Sequence, residues 1–216
     1  MSFNQLVLLF TLIFMVITMS LGCAIYYVDT KEKVSFLRNF PFELRSKKNY
    51  SLNILFKSVL SLEVILLIFS SYVMFFVNND IFTSRFLAII LIINAVVLLT
   101  LFLFDTTNYK IHVGIVSTFM VTNIASFFTL GYLSLRDNFA IYPLFVCIAS
   151  FIVMAILIIV NLAPSLTTWW KMKKSSDSKG NTTYNRGKVF PLALAEWINV
   201  FASFLFFLII FIYTLL

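Results

Sequence analysis

Six stretches of this chain, roughly residues 5–28, 52–77, 83–104, 111–135, 140–163 and 189–215, are long, apolar and nearly free of charge. An α-helix rises about 1.5 Å per residue, so about 20 apolar residues reach across the hydrocarbon core of a bilayer. Each stretch is long enough to cross. Lipid offers backbone amides no hydrogen-bond partners, so a span must be a helix or a strand of a closed barrel. The stretches are continuous rather than alternating, which excludes the barrel. The predicted fold class is therefore all-α: an integral membrane protein, 1–216, forming a single bundle of six transmembrane helices.

The composition agrees. Hydrophobic residues make up 61% and charged residues 12%, against about 25% charged in soluble domains. The first stretch exceeds the core of a signal peptide and is expected to stay as a span. Turn and cap residues separate the stretches at Asn78-Asn79-Asp80, Asp105-Thr106-Thr107-Asn108 and Arg136-Asp137-Asn138, and a hydrophilic segment runs from Lys171 to Lys188. Phe is abundant at 26 and Gly scarce at 5, so bulky side chains should fill most helix interfaces and tight small-residue crossings should be few.

The net charge of +7 has to sit outside the bilayer, where it reads as orientation rather than nucleic-acid binding. Loop one carries Lys31, Lys33, Arg38, Arg45, Lys47 and Lys48, loop three Lys110, and loop five Lys171, Lys173, Lys174, Lys179, Arg186 and Lys188. The even loops and their edges carry Arg85 and Arg136. The positive-inside rule puts the odd loops in the cytoplasm. Two glycosylation sequons, Asn49-Tyr50-Ser51 and Asn181-Thr182-Thr183, lie in the same loops and point the other way.

Polar residues within the spans are the candidate site. Glu63 falls near the middle of the second, where an ionised acid costs about 3 kcal/mol on insertion scales. Glu196, Asn199 and Ser203 recur at helical spacing and share one face of the sixth, with Trp197 expected beside them at the membrane interface. His112 begins a face that continues to Asn123 and Ser126, and Asp105 lies just ahead of it. Lys171, Lys173 and Lys174 follow the pair Trp169-Trp170 and could contact anionic headgroups. The only histidine is His112, so no metal site can be assembled, and no motif calls for a cofactor.

Three places resemble the six-span family of the damage-regulated autophagy modulators (DRAM) and the Frag and Sfk proteins. Phe40-Pro41-Phe42 leads into the second span as that family's Pro-aromatic loop does. His112 stands where the family's fourth span opens with His-Asp, although Val113 replaces the acid. Ala195-Glu196-Trp197, followed by the Phe-rich Phe204-Leu205-Phe206-Phe207, resembles the family's last span. The resemblance implies an endomembrane (lysosome, Golgi or endoplasmic reticulum) or plasma-membrane protein linked to autophagy, GPI-lipid or phosphoinositide homeostasis, with His112, Glu196 and Trp197 as the residues carried over.

The expected function is thus a non-enzymatic, lipid-organising or regulatory membrane protein whose partners are membrane lipids, including anionic headgroups, and a membrane or peripheral protein. Two alternatives stand beside it: a small transporter or channel with a polar path near Glu63, Asn94 and Asn123, and a lipid-modifying enzyme in which His112, Asp105 and Glu196 converge.

Overall fold

The structure, a computed structural model, describes residues 1–46, 48–77, 82–104, 109–136, 141–163, 173–176, 182–185 and 190–215. Six helices lie over the six apolar stretches: α1 (Phe3–Thr30), α2 (Tyr50–Ser71), α3 (Phe82–Leu103), α4 (Tyr109–Arg136), α5 (Ile141–Asn161) and α6 (Pro191–Leu215). All six contain a segment long and apolar enough to cross a membrane. The chain is a multi-pass integral membrane protein built as an all-α bundle.

Local chemistry sets the helix ends. Ser2 caps α1 in a capping box with Gln5, which satisfies two otherwise orphaned donors. The same helix stops at Lys31, whose φ of 62° is left-handed. Asn49 caps α2 by accepting from the Leu52 N–H. That helix continues past Ser71 into a π-helical turn at Tyr72–Val77. Successive helices pack on one another, and α6 closes the bundle against α1, α4 and α5. Between α5 and α6 lies a short antiparallel hairpin, β1 (Lys173–Ser176) and β2 (Thr182–Asn185), with Lys173 opposite Asn185. It was not expected from the hydrophilic composition of that segment.

The connection from α1 to α2 folds back as a plug. Its one helical element is a 3-10 turn, Pro41–Leu44, with Pro41 in the first turn, where a missing N–H costs little. Phe40, Phe42 and Leu44 are buried. The Glu43 carboxylate accepts from the Phe40 N–H at 3.1 Å and from Asn39 Nδ2 at 3.0 Å. The Arg45 guanidinium donates to the Leu103 carbonyl at the end of α3, and the Ser46 hydroxyl bonds the Asp29 carboxylate at 2.8 Å. The far side is pinned by the Phe190 N–H, which donates to the Leu37 carbonyl at 2.7 Å.

Large side chains do fill the interfaces, and two glycines mark the exceptions. A Cβ on Gly22 would stand 2.8 Å from Leu44 Cδ1 and 3.0 Å from Phe56 Cε2. One on Gly131 would stand 3.0 Å from the Phe151 ring. In both places glycine admits an aromatic or aliphatic side chain of a neighbouring segment rather than another backbone.

Candidate functional site

Polar side chains inside the bundle gather in two clusters and one cavity. The first cluster lies at the plugged end. His112, near the start of α4, points its Nε2 at Glu196 Oε1 of α6 over 3.0 Å, and both side chains are 0% exposed. Phe40 and Phe42 meet the imidazole edge-on, with centroids 5.9 and 5.6 Å away, and Phe190 stacks edge-on against Phe40. Among the described residues His112 Nδ1 has no hydrogen-bond partner. Aromatic rings of the plug thus pack against the imidazole of a fully buried pair.

Trp197 faces the protein interior. Its side chain is wholly buried, and Nε1 donates to the Asn39 carbonyl at 2.6 Å. Phe36 packs edge-on against the indole at 4.8 Å. An indole N–H needs a partner when it leaves water, and here the plug's backbone supplies one, so the ring can sit inward. Asn39 is itself held through Nδ2, which donates to the Tyr26 hydroxyl at 2.9 Å.

The second cluster lies deeper, where α3, α4, α5 and α6 meet. Asn123 Oδ1 accepts from Asn94 Nδ2 and from the Ser203 hydroxyl, each at 2.9 Å. Its Nδ2 donates to the Asn199 carbonyl at 3.2 Å and to Asn199 Oδ1 at 3.4 Å. Asn199 Nδ2 in turn donates to Asn161 Oδ1 and the Ala195 carbonyl, both at 2.8 Å. Both donors and both acceptor positions of Asn123 are used. The space beside Asn94, Asn123 and Ser203 is only about 10 Å³, at most one water. This is a satisfied hydrogen-bonded layer joining four helices.

Glu63 belongs to neither cluster. It lines a cavity of about 420 Å³ between α1, α2, α3 and α6, whose wall also includes Met15, Thr18, Phe102 and Phe204. Val16 and Phe201, which border the same cavity, are half exposed on the outer face of the bundle. The cavity therefore opens sideways between α1 and α6 rather than along the bundle axis. Thr18 lines the cavity beside Glu63, and the Thr18 hydroxyl donates to the Phe14 carbonyl at 2.9 Å. Phe36 of the plug forms part of the cavity wall.

The structure thus brings His112 to Glu196, and Asn199 and Ser203 to Asn123, while Glu63 faces a different space. Asp105 and Lys171 lie outside the described residues, as do the side chains of Lys173 and Lys174. Among the described residues no three metal-ligating side chains gather. Sequence reasoning missed three participants. Asn161 carries the clearest signal, a single amide at the end of an apolar run; Asn39 and Thr18 are indistinguishable from ordinary loop and span residues. Compared with known proteins, the chain matches no family model, no curated protein and no solved structure.

Proposed function

We propose that this protein is a non-enzymatic lipid-binding membrane protein, which holds a membrane lipid in the sideways-opening cavity that Glu63 lines and uses the occupied bundle as a scaffold or regulator. The cavity carries the reading. Its volume of about 420 Å³ falls within the roughly 300–1,000 Å³ typical of small-molecule sites, and an apolar wall with few polar groups is the usual makeup of such sites. Entry between α1 and α6 suits a ligand already dissolved in the bilayer.

The two alternatives have less support. Catalysis by His112 and Glu196 needs a substrate beside them, and both side chains are fully buried with aromatic rings packed on the imidazole. A transport path needs Glu63 to join Asn94 and Asn123, and they border different spaces. Kinship with the DRAM, Frag and Sfk proteins remains part of the proposal. Its support is that Phe40, Phe42, His112 and Glu196, drawn from three separate places in the sequence, meet in one cluster. A link to autophagy, GPI-lipid or phosphoinositide homeostasis in an endomembrane or the plasma membrane follows from that kinship alone, and a protein partner is part of the same reading.

The test is photolabelling. The full chain in nanodiscs, exposed to a lipid with a diazirine on its acyl chain, should be labelled preferentially around Met15–Met19 and Val200–Phe204. Val16→Trp, which narrows the mouth, should reduce that labelling. Even labelling of exposed residues such as Ile65, Ile89 and Ile152, indifferent to Val16→Trp, would overturn the reading.

A further inference from the structure

The surroundings of Glu63 narrow what can occupy the cavity. Glu63 is 5% exposed and stands thirteen positions beyond the start of α2 at Tyr50, about 20 Å along the helix. Lys57, on the same helix, is exposed on another face, and among the described residues no Lys or Arg lines the cavity. The carboxyl therefore has no cation there to hold it ionised, at a depth where an ionised acid is costly.

The Thr18 hydroxyl carries one proton and donates it to the Phe14 carbonyl. Towards Glu63 it offers lone pairs only. A Glu63 that keeps its own proton can donate to Thr18 and leave its carbonyl oxygen facing the cavity as an acceptor. Thr18, Ser20 and Cys23 are the other polar groups among the described residues of the wall, none of them donates a hydrogen bond to that oxygen, and the rest, Met15, Met19, Phe102 and Phe204 among them, is apolar. The methionines are adaptable and polarisable, and the aromatic rings give flat apolar surfaces.

Building on the lipid-binding reading above, we infer that the cavity selects an uncharged lipid alcohol, whose single hydroxyl donates to Glu63 while its apolar body lies against the α1 and α6 side chains. A phospholipid is the wrong shape, because its charged headgroup would have to sit at the depth of Glu63 and be stripped of water. A ring-bodied sterol and a straight long-chain alcohol both carry the required chemistry.

The experiment uses the full chain in phosphatidylcholine nanodiscs and four diazirine probes: a sterol, a long-chain alcohol, the methyl ether of that alcohol, and a long-chain primary amine. Either alcohol should label the α1 and α6 walls about tenfold more than the ether, the effect of one buried hydrogen bond. Which alcohol labels more identifies the body. Glu63→Leu should abolish the preference for alcohol over ether, and Glu63→Gln, which keeps a carbonyl acceptor, should retain most of it.

Equal labelling by alcohol and ether in the unaltered protein would overturn the inference and leave the lipid-binding reading standing. Stronger labelling by the amine would overturn it in favour of a cationic ligand. Failure of all four probes to label the cavity would overturn both. Unchanged thermal stability of Glu63→Leu shows that a lost preference reflects the missing acceptor.

Discussion

The imidazole of His112 and the carboxyl of Glu196, 84 positions apart in the chain, meet at 3.0 Å with neither side chain exposed. Removing one partner takes this bond from the other at a fully buried position. Glu196→Leu or His112→Leu should lower stability by about 1–3 kcal/mol if the pair is a neutral hydrogen bond, and by about 3–5 kcal/mol if it is an ion pair. The double variant should recover much of the loss. Thermal unfolding in detergent, arranged as a double-mutant cycle, reads the coupling directly; additive losses would show that the two side chains do not interact.

Asn123→Leu removes the residue that Asn94, Asn199 and Ser203 share. Interhelical hydrogen bonds in membranes average about 0.6 kcal/mol and reach about 1.7 kcal/mol. Asn94→Leu, which loses one described bond, should therefore cost less than Asn123→Leu, which disrupts several. Unfolding by steric trapping or detergent titration would compare them. An equal cost would mean that the layer is not organised around Asn123.

Trp197 should fluoresce as a buried indole. In a Trp169→Phe, Trp170→Phe double variant it is the only tryptophan remaining of three. Its emission is expected at short wavelength and to resist quenching by acrylamide and by brominated lipid. Trp197→Phe leaves the Asn39 carbonyl without its indole donor, and faster proteolysis after Arg38 or Arg45 should report a loosened plug.

Gly22→Ala places a methyl group against Leu44 and Phe56, and overpacking of this kind costs about 1–3 kcal/mol. Gly114→Ala is the control, since nothing lies within 4 Å of its added Cβ and alanine is the better helix former. The first variant should lower the unfolding temperature and the second should leave it equal or higher.

Lys171, Lys173 and Lys174 remain candidates for anionic headgroups. Replacing all three with Gln in the full chain should weaken capture of phosphatidylserine vesicles by the reconstituted protein, by about 1 kcal/mol per residue at low salt. Capture of neutral vesicles should not change. The same weakening on both vesicle types would remove headgroup recognition from the reading.

The helices were legible in the sequence because a span is announced by length and continuity of apolar residues, and neither depends on distant contacts. The buried face of Glu196, Asn199 and Ser203 was legible for a similar reason, since 3.6-residue spacing is a local property. Their partners were not. Whether Glu196 meets His112 or lipid depends on how α4 and α6 are rotated about their axes, which packing decides. The inward facing of Trp197 was not legible, because an indole N–H needs a partner and the Asn39 carbonyl that meets it is 158 positions away. The plug was the least legible element. Phe40-Pro41-Phe42 is too short for any periodicity, and its burial depends on helices that come later in the chain.

That last dependence has a consequence for biogenesis. The segment between the first and second spans is pinned by Phe190 and Trp197, and residues of the final helix supply part of its seat. As helices leave the translocon in order, loop one can find Asp29 and Leu103 early but must wait for α6 to find Phe190 and Trp197. An early-terminated product would carry bare Phe40 and Phe42 at the membrane surface, a conspicuous mark for quality control. The sixth helix is the one that completes the loop between the first two.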